Sequence, residues 1–233
     1  MNYEEALEKF GEYYRDRYTK EFPMIMNMCG FFNRTVLEIG AGKEGYFPIK
    51  FQNIIKDYMA TDVSKAALMD LQEKIPDIKI KTCNAEKLPF GNGSYDAVLA
   101  RWSLQEVTNL DKAVDEMCRV AKEAVVIVLP SEDGMQTELR ILFELDKYEQ
   151  RKQRVERIKS MLERNGLKVE IKKLVLNFIF PDLKELVEIL NWTEYRGKLS
   201  MEDKLKVRDF LKKHEHDWGV HFTQGAAFIC GKR

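Results

Sequence analysis

Between residues 35 and 129 five short apolar runs alternate with segments of helical periodicity, and this order constrains the chain more than any other feature. The runs cover residues 35–41, 58–63, 78–84, 95–100 and 124–129. Helices are expected from the first run's glycine turn to Lys56, from Ser64 as N-cap to just before Pro76, and over residues 110–122. Strands joined through helices pair in parallel, since each helix carries the chain back to the same end of the sheet. The run A-V-V-I-V-L, residues 124–129, is apolar throughout, as a central strand covered on both faces requires. The expectation is a doubly wound α/β fold with its ligand beyond the carboxyl ends of the strands.

The flanks read differently. Residues 2–20 have helical spacing, with Phe10, Tyr14 and Tyr18 on one stripe. After Pro130 come a charged helical region over 135–165, closed by Gly166, an extended run over 167–180, helices over 181–190 and 201–213, and a last extended run over 219–230. The two late runs are expected to form a hairpin-like sheet edge, with the helices of an insertion at about 181–217 capping the sheet. No repeat or linker divides the chain, so residues 1–233 read as one domain with its binding core at 35–130. The aromatic residues Tyr3, Phe10, Tyr13, Tyr14 and Tyr18 of segment 1–30, with Trp192 and Tyr195, serve either as packing or as a lid over the site.

Composition excludes several classes. At 233 residues a full core forms without disulfides or a structural metal. The 38 basic residues balance 38 acidic ones, so no global field draws the chain to nucleic acid or an anionic membrane. The acidic, amphipathic N-terminus is unlike a secretory signal, and the longest apolar stretch, residues 124–130, is far short of a membrane helix. A soluble, cytoplasmic protein is expected. Cys29, Cys83, Cys118 and Cys230 form no C-x-x-C pair, which fits buried thiols in a reducing compartment and argues against a cysteine-rich zinc site.

The turn G-A-G-K-E-G spans residues 40–45, and Asp62 ends the next strand 22 residues after Gly40. A dinucleotide site would use both features. Glu38 discriminates. Its carboxylate points toward the crevice, and two like charges 4 Å apart repel by about 4 kcal/mol at an effective dielectric of about 20, which disfavours a pyrophosphate. A cationic ligand such as S-adenosylmethionine, with its ammonium and sulfonium, is favoured instead, and Asp62 can take two ribose hydroxyls in charge-assisted hydrogen bonds.

Four blocks, V-L-E-I-G-A-G-K-E-G-Y-F, A-T-D-V-S, C-N-A-E-K-L-P-F and S-Y-D-A-V-L-A, occur in order between residues 35 and 130. Through them the chain resembles the class I S-adenosylmethionine-dependent methyltransferases, and the L-P-F block resembles the ubiquinone and menaquinone biosynthesis subgroup. The resemblance implies a Rossmann-like, mostly parallel sheet of about seven strands with an antiparallel last strand. It implies that Glu38, Gly40 and Gly42 line the methionine end, Asp62 holds the ribose, Val63 packs on the adenine, and Asn84, Ala85 and Glu86 meet its edge, with Arg101 also on the cofactor side. Asn84 stands where the family has Asp, and the glycine turn carries one extra residue. Asn84 would accept from the adenine amino group. S-adenosylmethionine is the implied cofactor, S-adenosylhomocysteine its product, and no metal is required.

Methyl transfer from a sulfonium needs alignment and desolvation more than a catalytic group, so no base is assigned. Trp102, Gln105 and Glu106 lie on the substrate side, where related enzymes often carry histidines at the last two positions. The strand end lacks the N-P-P-Y sequence of base methyltransferases, and the seven basic residues of 147–164 are interspersed with Glu149, Glu156 and Glu163. A small-molecule acceptor is favoured over RNA. The spacing of His214 and His216 opposes a shared metal with His221. An NAD-dependent oxidoreductase and a non-catalytic, regulatory S-adenosylmethionine-binding protein are the alternatives; oligomeric state and acceptor atom stay open.

Overall fold

The computed structural model describes residues 1–13, 15–51, 53–143, 148–193, 195 and 197–233. Tyr14, Lys147 and the Tyr18 side chain lie outside what is described. The chain runs through α1 (Tyr3–Glu12), α2 (Arg15–Cys29), β1 (Thr35–Ile39), α3 (Tyr46–Phe51), β2 (Asp57–Asp62), α4 (Lys65–Lys74), β3 (Lys79–Thr82), β4 (Tyr95–Arg101), α5 (Leu110–Val120) and β5 (Ala121–Pro130). It continues through α6 (Met135–Leu142), α7 (Tyr148–Arg164), β6 (Lys168–Phe180), α8 (Leu183–Thr193), α9 (Met201–Leu211), β7 (Glu215–His216) and β8 (Gly219–Lys232).

The strands form one sheet in the order β3-β2-β1-β4-β5-β8-β6, with the two-residue β7 attached to β8. Neighbours from β3 to β5 are parallel, and β8 runs antiparallel to β5. The expected mostly parallel sheet is therefore present. So is the reversed last strand. The late runs β6 and β8 are neighbours at the sheet's edge, as their patterns suggested.

The Cα packing resolves two compact units, with the division falling inside β6 and β8. The larger holds residues 22–131, 151–174 and 226–233. One face of its sheet buries Leu37, Ile39, Val98, Ala100, Val125 and Ile127 against Val114 and Met117 of α5 and Ile158 and Leu162 of α7. Elsewhere Ala60 packs with Leu68 and Leu71 of α4. Helices on both faces explain why residues 124–129 carry no polar side chain: all are buried. In the smaller unit, residues 1–21, 132–150 and 175–225, Phe10 stacks on Phe178 and Phe180, and Phe222 meets the same pair. Lys9 of α1 and Tyr13, just beyond its end, both hydrogen-bond Glu185 of α8. Ser200 and Asp203 close a reciprocal capping box at the start of α9.

Three local expectations change. The single helix read over 2–20 is two, α1 and α2, the second continuing through Pro23 to Cys29. The helix expected to reach Lys56 stops at Phe51, because the backbone beyond it turns to the loop before β1: Asn33 N–H donates to Ile54 O and Lys56 N–H to Arg34 O. Cys29 and Cys230, expected as free thiols, are joined by a disulfide within the larger unit across a sequence separation of 201 residues. Their spacing hid this, since the end of α2 and β8 come together only through the tertiary fold. Among the described residues no helix is long and apolar enough to cross a membrane.

Candidate cofactor and acceptor site

The site builds from strand register. Thr35–Asp57, Val36–Tyr58 and Glu38–Ala60 are paired across β1 and β2, and Glu38 pairs with Leu99 across β1 and β4. Tyr58, Glu38 and Arg101 thus share a face on successive diagonals. Ala60, small and opposite Glu38, leaves the space through which the Tyr58 hydroxyl reaches and donates to Glu38 Oε2. Arg101 Nε lies 4.0 Å from Glu38 Oε1, and the guanidinium sits over the Phe47 ring at 4.3 Å from its centroid. The side chains of Glu38 and Arg101 are only 3% and 8% exposed, so this is a buried ion pair with an aromatic wall.

Burial pushes the Glu38 carboxyl above its usual range, while Arg101 and the Tyr58 hydrogen bond pull it back toward the ionised form. Burial and the neighbouring Glu38 carboxylate raise the Tyr58 phenol well above its ordinary value. Glu38 O also accepts from the buried Thr61 hydroxyl at 2.7 Å. Tyr58, Phe47 and Thr61 were not singled out from sequence. The signal for Tyr58 was its place one strand pair before Glu38 on the same face, which becomes visible only once the register is known.

The three glycines of the turn all have positive φ, at +69° for Gly40, +62° for Gly42 and +72° for Gly45, for different reasons. A Cβ on Gly40 would lie 2.3 Å from Ser103 Cβ, so that glycine admits the turn after β4. A Cβ on Gly45 would press on Leu71 and Ile75, which seats α4. Around Gly42 there is open space, with no atom within 4 Å of such a Cβ. Gly42 N–H donates to Asp62 Oδ2 at 3.0 Å, and Ser64 N–H to Asp62 Oδ1 at 2.9 Å, so backbone donors hold this carboxylate at the end of β2. Ser64 caps α4, accepting from Ala67 N–H, as its sequence position suggested. Val63, beside Asp62, is 71% exposed, an apolar surface presented at the strand's carboxyl end.

After β3, Asn84 Oδ1 accepts from Glu86 N–H at 2.8 Å, and Glu86 Oε1 accepts from Asn109 N–H at 2.9 Å. Asn84 is exposed and Ala85 buried. With its oxygen in that turn, Asn84 presents its amide NH2, a donor, so it suits a ring nitrogen better than the amino group expected of it. Beyond β4, Trp102 takes φ +54°, Ser103 Oγ donates to Ile39 O at 2.8 Å, and Gln105 Nε2 donates to Trp102 O at 2.5 Å. Glu106 is exposed.

Other sequence candidates have partners of their own. Arg157 and Arg164 of α7 pair with Asp111 and Asp115 of α5, so part of the basic stretch is committed to helix–helix contacts. His221 pairs with Asn177, and His216 stacks on Trp218. Among the described residues no three His, Cys, Asp or Glu side chains gather as metal ligands. Cys118 is buried and its thiol pushed up to about 12, which removes it as a nucleophile.

Residues 37–129 match the model of a methyltransferase domain family, and the chain resembles the class I S-adenosylmethionine-dependent methyltransferases. It is 31% identical over 93 residues to the uncharacterized methyltransferase YcgJ of Bacillus subtilis, a match covering 38% of this chain and 36% of that protein. To the ubiquinone/menaquinone biosynthesis C-methyltransferase UbiE of Burkholderia vietnamiensis it is 38% identical over 66 residues, 27% of each chain. The matches thus span about a third of these relatives' lengths. In fold, the crystal structure of YcgJ superposes with a TM-score of 0.63 at 20% identity, covering 91% of this chain and 97% of that one. The phosphoethanolamine N-methyltransferase 2 of Haemonchus contortus, in complex with phosphomonomethylethanolamine and S-adenosylhomocysteine, superposes with a TM-score of 0.58 at 16% identity, covering 92% and 52%.

Proposed function

We propose that this protein transfers a methyl group from S-adenosylmethionine to a small-molecule acceptor. The observation that carries the proposal is the end of β2, where backbone N–H groups fix Asp62 beside the open space at Gly42. A carboxylate so held keeps lone pairs for two vicinal hydroxyls, and a glycine with nothing beyond it lets a ligand approach the backbone. The residues present therefore fit an adenosine-bearing cofactor: Asp62 for the ribose, Val63 and Asn84 with Ala85 and Glu86 for the adenine, Gly40 and Gly42 for the amino-acid end. When bound, the cofactor supplies a methyl group already activated on sulfur.

The chain's own contribution is placement and dryness. Glu38, buried and already paired with Arg101 and Tyr58, acts as a rigid anchor of the strand ends beneath the glycine turn. The turn carrying Trp102 and Gln105 abuts Gly40 through Ser103, which supports a reading with the acceptor beside the amino-acid end of the cofactor. Alignment of the two reactants is then the main source of rate.

Thermal unfolding with S-adenosylhomocysteine, S-adenosylmethionine and NAD tests this reading. Ligand at 100 times its dissociation constant adds about 2.7 kcal/mol of stability, so the first two should raise the midpoint and NAD should not. Asp62→Ala should weaken S-adenosylhomocysteine about tenfold or more through the lost hydroxyl contacts. Stabilisation by NAD alone, or wild-type affinity in the variant, overturns the proposal.

A further inference from the structure

The turn after β4 holds two features that packing does not account for. Trp102 is one of two residues other than glycine with positive φ among those described, and a bulky side chain adopts that region only under constraint. The constraint is visible. Trp102 N–H donates to Val128 O of β5 at 2.8 Å, and its carbonyl receives Gln105 Nε2. Ser103, the next residue, is tied to Ile39 O and pressed against Gly40.

The second feature is Gln105 itself. Its Oε1 is buried and has no hydrogen-bond partner among the described residues. Turning the amide over would set oxygen against the Trp102 carbonyl, acceptor against acceptor, so the orientation is fixed by Trp102. An amide oxygen kept dry and unmatched is costly, so this one calls for a donor that the described residues do not supply. Here the group stands on a strained turn butted against the glycine turn.

We infer that Gln105 Oε1 receives a hydrogen bond from a neutral O–H or N–H group of the methyl acceptor, and that the Trp102 conformation exists to aim it. The inference rests on the methyltransferase reading and gives its acceptor a chemical class: a small molecule with a neutral hydrogen-bond donor. A lone neutral amide oxygen satisfies a neutral donor fully, whereas a buried cation calls for a carboxylate as well. Gln105 is thus a specificity-determining residue. No proton moves to or from it.

Saturation-transfer NMR on the full chain with S-adenosylhomocysteine bound, using phenol against anisole and aniline against N,N-dimethylaniline, provides the test. Each pair differs by capping of the donor. Phenol and aniline should bind about tenfold more tightly than their capped partners, the discrimination of one buried hydrogen bond. Gln105→Leu and Gln105→Met should abolish that preference, read in each protein as the ratio of uncapped to capped affinity so that the release of the Trp102 carbonyl, which affects both probes alike, cancels. Equal binding of capped and uncapped probes to the wild-type protein overturns the inference without any variant, and so does binding of none of the four. A preference for the uncapped probes that persists in both variants would show that another group receives the donor and also overturn it. Failure of the wild-type protein to bind S-adenosylhomocysteine would strike the methyltransferase reading instead.

Discussion

The two ends of β1, β4 and β5 are built on opposite terms. At the amino ends the polar side chains are matched to one another: Thr35 N–H and Oγ1 both donate to Asp96 Oδ2 at 2.9 Å, and Asp96 N–H donates back to Thr35 Oγ1. Arg119, at the end of α5, binds both oxygens of Glu116 and also Leu88 O, Phe90 O and Asn92 Oδ1. At the carboxyl ends stand three turn glycines and Trp102 with positive φ, a buried Glu38–Arg101 pair, and an unmatched Gln105 oxygen. The same strands carry both. The difference teaches that stability is secured at one end so that strain and exposed valences can be held at the other, which is where ligands of such sheets bind.

Gly40→Ala should break the comparison most severely. The new Cβ would meet Ser103 Cβ at 2.3 Å, and the +69° φ would add strain of about 1–3 kcal/mol before any clash is counted. The expected outcome is loss of S-adenosylhomocysteine binding together with a fall in the unfolding midpoint. Gly42→Ala, with the same sign of φ but open space around it, should be the milder of the two for folding. Equal loss of stability in both would mean that the Gly40–Ser103 contact is not what joins the two turns.

Much of the fold was legible from residues. Alternation set the parallel strands, the apolar run at 124–129 set the covered central one, and Ser64 and Gly166 marked helix ends they do terminate. Glycine spacing and Asp62 located one turn. The Glu38 environment was not legible, because Tyr58 and Arg101 are brought to it by register across two different strand pairs and Phe47 by a short helix. The expectation that Glu38 faces a ligand as a bare charge came from sequence; in the structure its charge is shared with Arg101. The Trp102 conformation was equally hidden, since no sequence pattern forces a tryptophan to positive φ.

Arg119→Ala sharpens the comparison from the amino end. It strands the Leu88 and Phe90 carbonyls and the Glu116 carboxylate, and the side chain is 32% exposed, so water offsets part of the loss. A destabilisation of about 1–3 kcal/mol is expected in denaturant unfolding, with S-adenosylhomocysteine affinity of the folded protein unchanged. A change in affinity would show that the two ends are not independent.

The finest distinction lies in the opposite behaviour of the two carboxylates toward acid. Asp96 is held below its usual range, chiefly by the Thr35 backbone N–H, so its stabilisation is present above the unfolded value and is lost as pH falls through the folded one. Glu38 is raised by burial, so its contribution is greatest below the unfolded value and is lost as pH rises through the folded one. Tyr58→Phe removes a hydrogen bond that favours the ionised Glu38 and should raise that carboxyl further. The variant should be less stable by about 1–2 kcal/mol near pH 7.5, and the deficit should shrink on acidification toward the ordinary glutamate range as Glu38 takes up its proton. Denaturant midpoints of both proteins across that range check it. A deficit that stays constant with pH would mean that the hydroxyl contributes packing alone, and that Glu38 is held by Arg101 without help from β2.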